Sequence, residues 1–464
     1  MQTPLRVRHA WHGKVGIAAT LALTCAVCTP LYAGTIVVSR SGPTTSISAG
    51  LKAASAGDTV EVQPGVYEED VLLDRTVQLV GVGHPVIHGS GKASVVTVTG
   101  NSCLLRGFVI EHSGGMLVDE DAGILLKGTN NRVENNDLRD VLFGIYLLQS
   151  DHNFIVGNTI YGRPLHDIGD RGSGIHIWNS SYNTLENNTI VETRDGMYLQ
   201  NANHSVIRDN HVHDLRYGLH YMYSDDNVFE GNVFYNNVAG AAIMYSKRVR
   251  FRHNAFLHNR GFASYGVLFQ SDDDCTAEEN IVADNAVGIF MEAVRQSTFR
   301  RNTVSGNDLA FRVFSSSTQN VFEQNNIVEN LSPLELIGSH TDNHWNGAIA
   351  GNYWSEYDGF DLDGNGIGDT PYKIQNVFEH LEAGMPLLRL YLFSPAAQSL
   401  ELSERGFPIF EREQESDQLP LMKPVATWTP PAISERPPHR TFALVVPALL
   451  LVCTLTVFRY EGRP

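Results

Sequence analysis

Four side chains have the types and the spacing to bind a metal ion. Met222 and Met244 lie 22 residues apart, His220 precedes Met222 by two, and His176 falls 44 residues before His220. Thioether sulfur together with imidazole nitrogen suits Cu(I) and few other ions. Tyr146, Trp178 and Tyr198 recur at related positions as an aromatic strip that either faces a partner protein or lies beneath the chain's own loops. Asp361, Asp363 and Asn365, followed by Gly366 and then Asp369, match positions one, three, five and nine of a calcium loop. Tyr372 stands where that loop's closing Glu belongs, so a Gly/Asp-rich turn packed by Tyr353, Trp354 and Tyr357 accounts for the segment as well. The acids Asp167, Asp170, Asp195, Asp225 and Asp226, with Arg171, have the chemistry for a carbohydrate lyase, hydrolase or epimerase, which needs proton abstraction or leaving-group protonation. Against catalysis, the Asp-Pro-His-Asp signature of alginate epimerases is absent, and Ser-Asp-Asp recurs at 224–226 and 271–273 as repeated turn chemistry.

Residues so far apart meet only if the chain returns on itself at a fixed interval. Glycine followed by a short apolar strand occurs at Gly123, Gly144, Gly174, Gly196, Gly218, Gly240, Gly266 and Gly288, with Ala310 next in place, and the commonest step is 22 residues. Asn158, Asn188, Asn210, Asn232, Asn254, Asn280 and Asn302 stand 14 residues after most of these glycines. A period in the low twenties with short β segments and no helical stripe predicts an all-β, right-handed parallel β-helix whose coils share one core. The recurring Asn can bond its counterpart one coil away, building a ladder at one corner. A leucine-rich repeat is excluded by the missing L-x-x-L-x-L-x-x-N signature and helical return.

Alternation then assigns the faces. The first and third residues after each glycine (Ile145 and Leu147, Ile175 and Ile177, Leu219 and Tyr221) face the core, and the second and fourth face outward. Met222 and Met244 become neighbours on adjacent coils, about 4.8 Å apart at the backbone. Longer steps insert residues at 113–122, 161–173 and 259–265, always at the corner before the glycine strand, which marks the working side.

The rest of the chain frames this array. A formal net charge of −17 and the absence of any basic run argue against a nucleic-acid partner. Residues 1–33 read as a signal peptide, with Arg6, Arg8 and Lys14 before an apolar run and a cleavage site at Leu31-Tyr32-Ala33. Cys103 and Cys275 lie about seven coils apart, on the order of 34 Å, too far for a disulfide. Residues 34–93 form an N-terminal cap and first coils, with a short helix over 46–56; 94–330 are the repeats; 331–380 close the β-helix. Residues 381–426 form an extension for docking a partner or membrane, 427–440 a Pro-rich linker, and 441–458 an uncharged stretch at the short end of a spanning helix. Export followed by such a helix predicts a periplasmic protein anchored to the inner membrane.

Four segments carry a family resemblance. The run from Arg216 to Asp226, the run from Ala239 to Ser246, Gly351-Asn-Tyr-Trp with the following Asp-Gly-Asn-Gly-Ile-Gly-Asp-Thr-Pro-Tyr, and Leu419-Pro-Leu-Met-Lys-Pro occur in this order. They closely resemble the NosD family of periplasmic maturation proteins of nitrous-oxide reductase, over residues 34–425. The resemblance implies a non-catalytic, copper-binding accessory role. Its implied partners are an ABC transporter (membrane subunit NosY and ATPase NosF), the copper chaperone NosL and the apo reductase. It assigns no ligands; His176, His220, Met222 and Met244 come from strand alternation.

Overall fold

Each turn of the chain carries too few apolar residues to bury them alone, so turns must pile on one another. The computed structural model describes residues 33–163, 167–261, 263–338, 341–374, 394–396, 399 and 415–431. Residues 1–32 of the signal peptide expected over 1–33, and the expected spanning stretch 441–458, lie outside them, and among the described residues no helix is long and apolar enough to cross a membrane.

Among the described residues, three parallel sheets of 13, 12 and 13 strands run along a β-solenoid. The 12-stranded sheet contains the glycine strands, and its register is unbroken at the centre: Ile175 pairs Met197, Met197 pairs Leu219, and Leu219 pairs Ala241. One 22-residue step is therefore one turn. The first and third residues after each glycine, among them Ile145, Ile177, Leu219 and Tyr221, are wholly buried in a single core. The glycines themselves leave no room for a side chain. A Cβ on Gly196 would lie 2.2 Å from Val212 Cγ1 and 2.6 Å from the Gly218 carbonyl, and one on Gly218 would lie 2.5 Å from the Gly240 carbonyl.

The corner asparagines form the expected ladder. Asn188, Asn210, Asn232 and Asn254 each use Oδ1 to accept both the backbone N–H and the Nδ2–H of the Asn on the preceding turn, at 2.9–3.1 Å. Each Nδ2 also donates to a backbone carbonyl, so a buried polar corner is fully satisfied. A second corner is served by serines: Ser224 N donates to Ser246 Oγ at 3.1 Å, and Ser246 N to Asp272 Oδ1 at 2.9 Å. Asp272 breaks the pattern with a buried carboxyl, and burial pushes its pKa well above the ordinary value. The folded chain thus keeps a proton that the unfolded chain releases, and stability falls as pH rises from the ordinary carboxyl range through the folded pKa. Asp272→Ser, the residue type of the preceding turns, is expected to raise unfolding stability at pH 7. Urea midpoints measured from pH 4 to pH 8 should show the gain shrinking toward the acid end.

Both ends are closed. The helix Ile47–Ala53, shorter than the span read from sequence, is N-capped by Ser46 Oγ, and the Glu69 carboxylate accepts the N–H groups of Ile47 and Ser48. At the far end the Asn ladder passes to Asn352, whose N–H donates to Asp417 Oδ2 at 2.6 Å. Asp417 also accepts the Trp354 indole N–H, and Glu415 accepts that of Trp345, both at 2.9 Å. From there the chain runs back along the solenoid: Val425 exchanges two backbone bonds with the Asn326 amide at 2.8 Å, and Trp428 stacks on His253. Residues 415–426 therefore pack on their own chain, while most of 381–414, the rest of the segment expected to dock a partner or membrane, lies outside the described residues. Cys103 and Cys275 are buried and unpaired.

Candidate metal centre

The outer face of the glycine sheet carries two columns of side chains. In one, Tyr146, His176, Tyr198, His220 and Ala242 are successive register partners; in another, Leu148, Trp178, Gln200, Met222, Met244 and Gln270. Met222 and Met244 are thus direct neighbours on the strands Tyr217–Met222 and Ala239–Met244, both half-buried, with His220 on the same strand and face as Met222.

His176 stands apart from them. The strand Asp195–Gln200 separates it from His220, a backbone gap of about 9–10 Å across two strand spacings. Tyr198 fills that gap, stacked on His176 with centroids 4.4 Å apart and set edge-on to His220 at 4.9 Å. Phe143 and Tyr146 close the other sides of the His176 ring. Burial first, and Arg194 second, push its pKa down to about 3, so the ring is neutral, and its buried Nδ1 has no hydrogen-bond partner among the described residues. Three of the four expected ligands, His220, Met222 and Met244, thus share one face of two adjacent strands, and His176 does not join them.

The aromatic strip belongs mostly to the chain's own packing. Tyr146 is 1% exposed, and its hydroxyl donates to Glu120 in the inserted loop, while Trp178 packs against the cluster around Phe143 and Tyr146. Tyr198 is 9% exposed and donates to Gln200 Oε1 at 2.6 Å. Tyr146 is therefore not a partner-facing residue, because the 113–121 loop covers it. The exposed aromatics nearby are Tyr223 and Tyr245, which follow the two methionines, stack at 5.0 Å and are about half exposed. Both hold φ near +50°, a turn conformation that bulky residues seldom adopt.

Sequence reading named Asp195 among the acids but missed its place beside His220. Asp195 is wholly buried and receives a two-pronged bond from Arg216, Nε to Oδ1 at 2.9 Å and Nη2 to Oδ2 at 2.8 Å. Arg194 Nε and His220 Nδ1 each approach Oδ2 at 3.3 Å. Burial raises the Asp195 pKa, but the bonds from His220 and Arg216 together outweigh it and hold the carboxyl below its ordinary value, so it is ionised. The signal was present: Arg194 and Arg216 both stand two residues before a repeat glycine, and so sit on adjacent turns.

The calcium expectation gains no support. Asp361 accepts the backbone N–H groups of Gly364, Asn365 and Gly366, Asp363 accepts from Asn365, Asn365 from Ile367, and Asp369 from Leu362. These oxygens build an exposed turn, and among the described residues no group of three or more His, Cys, Asp or Glu is arranged to hold a metal.

Comparison with known proteins gives a consistent result. A family model described as "Periplasmic copper-binding protein (NosD)" matches residues 163–359, and one for a family of unknown function, DUF1565, matches residues 71–206. The chain is 36% identical over 375 residues to a "Probable ABC transporter binding protein NosD" of Pseudomonas aeruginosa, covering 77% of this chain and 87% of that one. A protein of the same description from Stutzerimonas stutzeri is 33% identical over 376 residues, covering 77% and 85%. Among solved structures, the A-module of the Azotobacter vinelandii mannuronan C-5 epimerase AlgE4 superposes with a TM-score of 0.52 at 16% identity, covering 63% of this chain and 92% of the module. That last likeness concerns the fold alone.

Proposed function

The chain belongs to the NosD family, and from that premise we propose that it is a non-catalytic periplasmic accessory protein in assembly of the copper centres of nitrous-oxide reductase, holding Cu(I) at His220, Met222 and Met244. The observation that carries this reading is the register pairing of Met222 with Met244, with His220 on the same face. Two thioethers and an imidazole are the donor chemistry that Cu(I) prefers, and His220 Nε2 makes no hydrogen bond among the described residues, so the donor set fits the ion. Bound copper would be cargo, held softly enough to pass on. The relatives' description as ABC transporter binding proteins supports docking on such a transporter, with NosY as membrane subunit, NosF as ATPase and NosL as the copper source. Anchoring of the chain at the inner membrane by residues 441–458 completes the reading.

Competition titration with a Cu(I) chelator tests it. Alanine at Met222, Met244 or His220 is expected to weaken binding about tenfold each, as loss of one soft ligand should. His176→Ala should leave affinity within about twofold. A triple variant that binds Cu(I) as the parent does, and matures the reductase normally, overturns the reading.

A further inference from the structure

A buried carboxylate beside a candidate ligand calls for a reason, since an ion pair removed from water repays its desolvation only when its geometry is good. Asp195 lies one residue before a repeat glycine, on the turn preceding His220, and is clamped from two successive turns. Two guanidinium groups face one carboxylate, so its charge is already balanced without any metal. Its remaining contact is the imidazole of His220, at 3.3 Å from Nδ1. An ionised carboxylate can only accept, so the nitrogen facing it must carry the proton. The ring is also held from its sides, edge-on by Tyr198 at 4.9 Å and tilted against Tyr217 at 5.2 Å.

We propose that Asp195 is a positioning residue: clamped by Arg194 and Arg216, it fixes His220 in the tautomer protonated on Nδ1 and so presents a bare Nε2 to Cu(I). This rests on the copper reading above. It adds to it that the ligand is preset before the ion arrives, because the proton that would block Nε2 is held on the other nitrogen.

The test uses the full chain labelled with 15N-histidine at pH 8, where a neutral imidazole reports its tautomer in long-range 1H–15N spectra. The His220 signals are identified by their loss in His220→Gln. In the parent, Nδ1 should be the protonated nitrogen and Nε2 the bare one; the reverse overturns the proposal with no variant needed. In Asp195→Asn the side-chain amide can donate to Nδ1, so the proton should move to Nε2 and Cu(I) affinity should fall about 10- to 100-fold. A purely structural ion pair would lower the urea midpoint without changing the tautomer. If Asp195→Asn does not fold, Arg216→Lys, which keeps the charge and loses the two-pronged clamp, should show a mixture of tautomers and an intermediate affinity. Unchanged Cu(I) affinity in Asp195→Asn, while His220→Gln loses it, defeats the positioning role and leaves the copper reading standing. Unchanged affinity in His220→Gln defeats both.

Discussion

Asn232→Ala is expected to cost about 3–4 kcal/mol of unfolding stability, because several buried polar groups lose their partner at once. Asn232 Oδ1 accepts the Asn210 N–H at 3.1 Å and Asn210 Nδ2 at 2.9 Å, and its own Nδ2 donates to the Ile207 carbonyl at 2.8 Å and to Asn254 Oδ1 at 2.9 Å. The side chain is wholly buried, so water cannot replace these bonds without opening the corner. Asn210 Nδ2 keeps two carbonyl partners, Leu185 and Arg208, which limits the loss. The Asn210 N–H and the Ile207 carbonyl carry most of it. Urea unfolding followed by far-UV circular dichroism reads the change, and a split into two transitions would show that the ladder transmits cooperativity between the turns on either side. A shift below about 1 kcal/mol would mean that the ladder is ornamental to stability.

Arg216→Ala should be comparably damaging, about 3–5 kcal/mol, since it strands a carboxylate that has no exposure to solvent. Arg194 remains, but it reaches Asp195 through a single 3.3 Å contact where Arg216 supplies two at 2.8–2.9 Å. The guanidinium also lies over the Tyr217 ring, 4.8 Å from its centroid, so packing is lost along with charge. The uncompensated charge is the costly species. Adding Asp195→Asn to Arg216→Ala should therefore recover more than half of the loss, which a double-mutant cycle at pH 7 would measure. If the second substitution deepens the loss instead, the clamp works through shape and not charge.

Much of this architecture was legible because it repeats. The glycine interval gave the turn length, alternation separated Leu219 and Tyr221 from His220 and Met222, and the spaced asparagines gave the ladder, all borne out by the strand register and the hydrogen bonds. Three things were hidden, each for a physical reason. Asp195 looked like one loose acid among several, since its partner Arg216 comes from the next turn and only register unites them. Whether Tyr146 met a partner or lay under a loop stayed open because alternation shows which side of a strand a residue faces, not whether a loop covers it; the loop carrying Glu120 does. Glu415 and Asp417 join Trp345 and Trp354 across 70 and 63 residues, a distance at which no period signals contact.

The two blocked ends have a consequence for life in a crowded compartment. A stack of identical turns is its own template: an open terminal turn of one molecule offers bare N–H and C=O groups to the mirror end of the next, and such joining continues without limit into fibres. Here a helix seated on Glu69 covers one terminus and the Glu415–Asp417 strap, fastened by two indoles, covers the other. Each terminal turn is thereby denied to a neighbour's strands, and shearing off the strap should expose an edge that seeds head-to-tail joining.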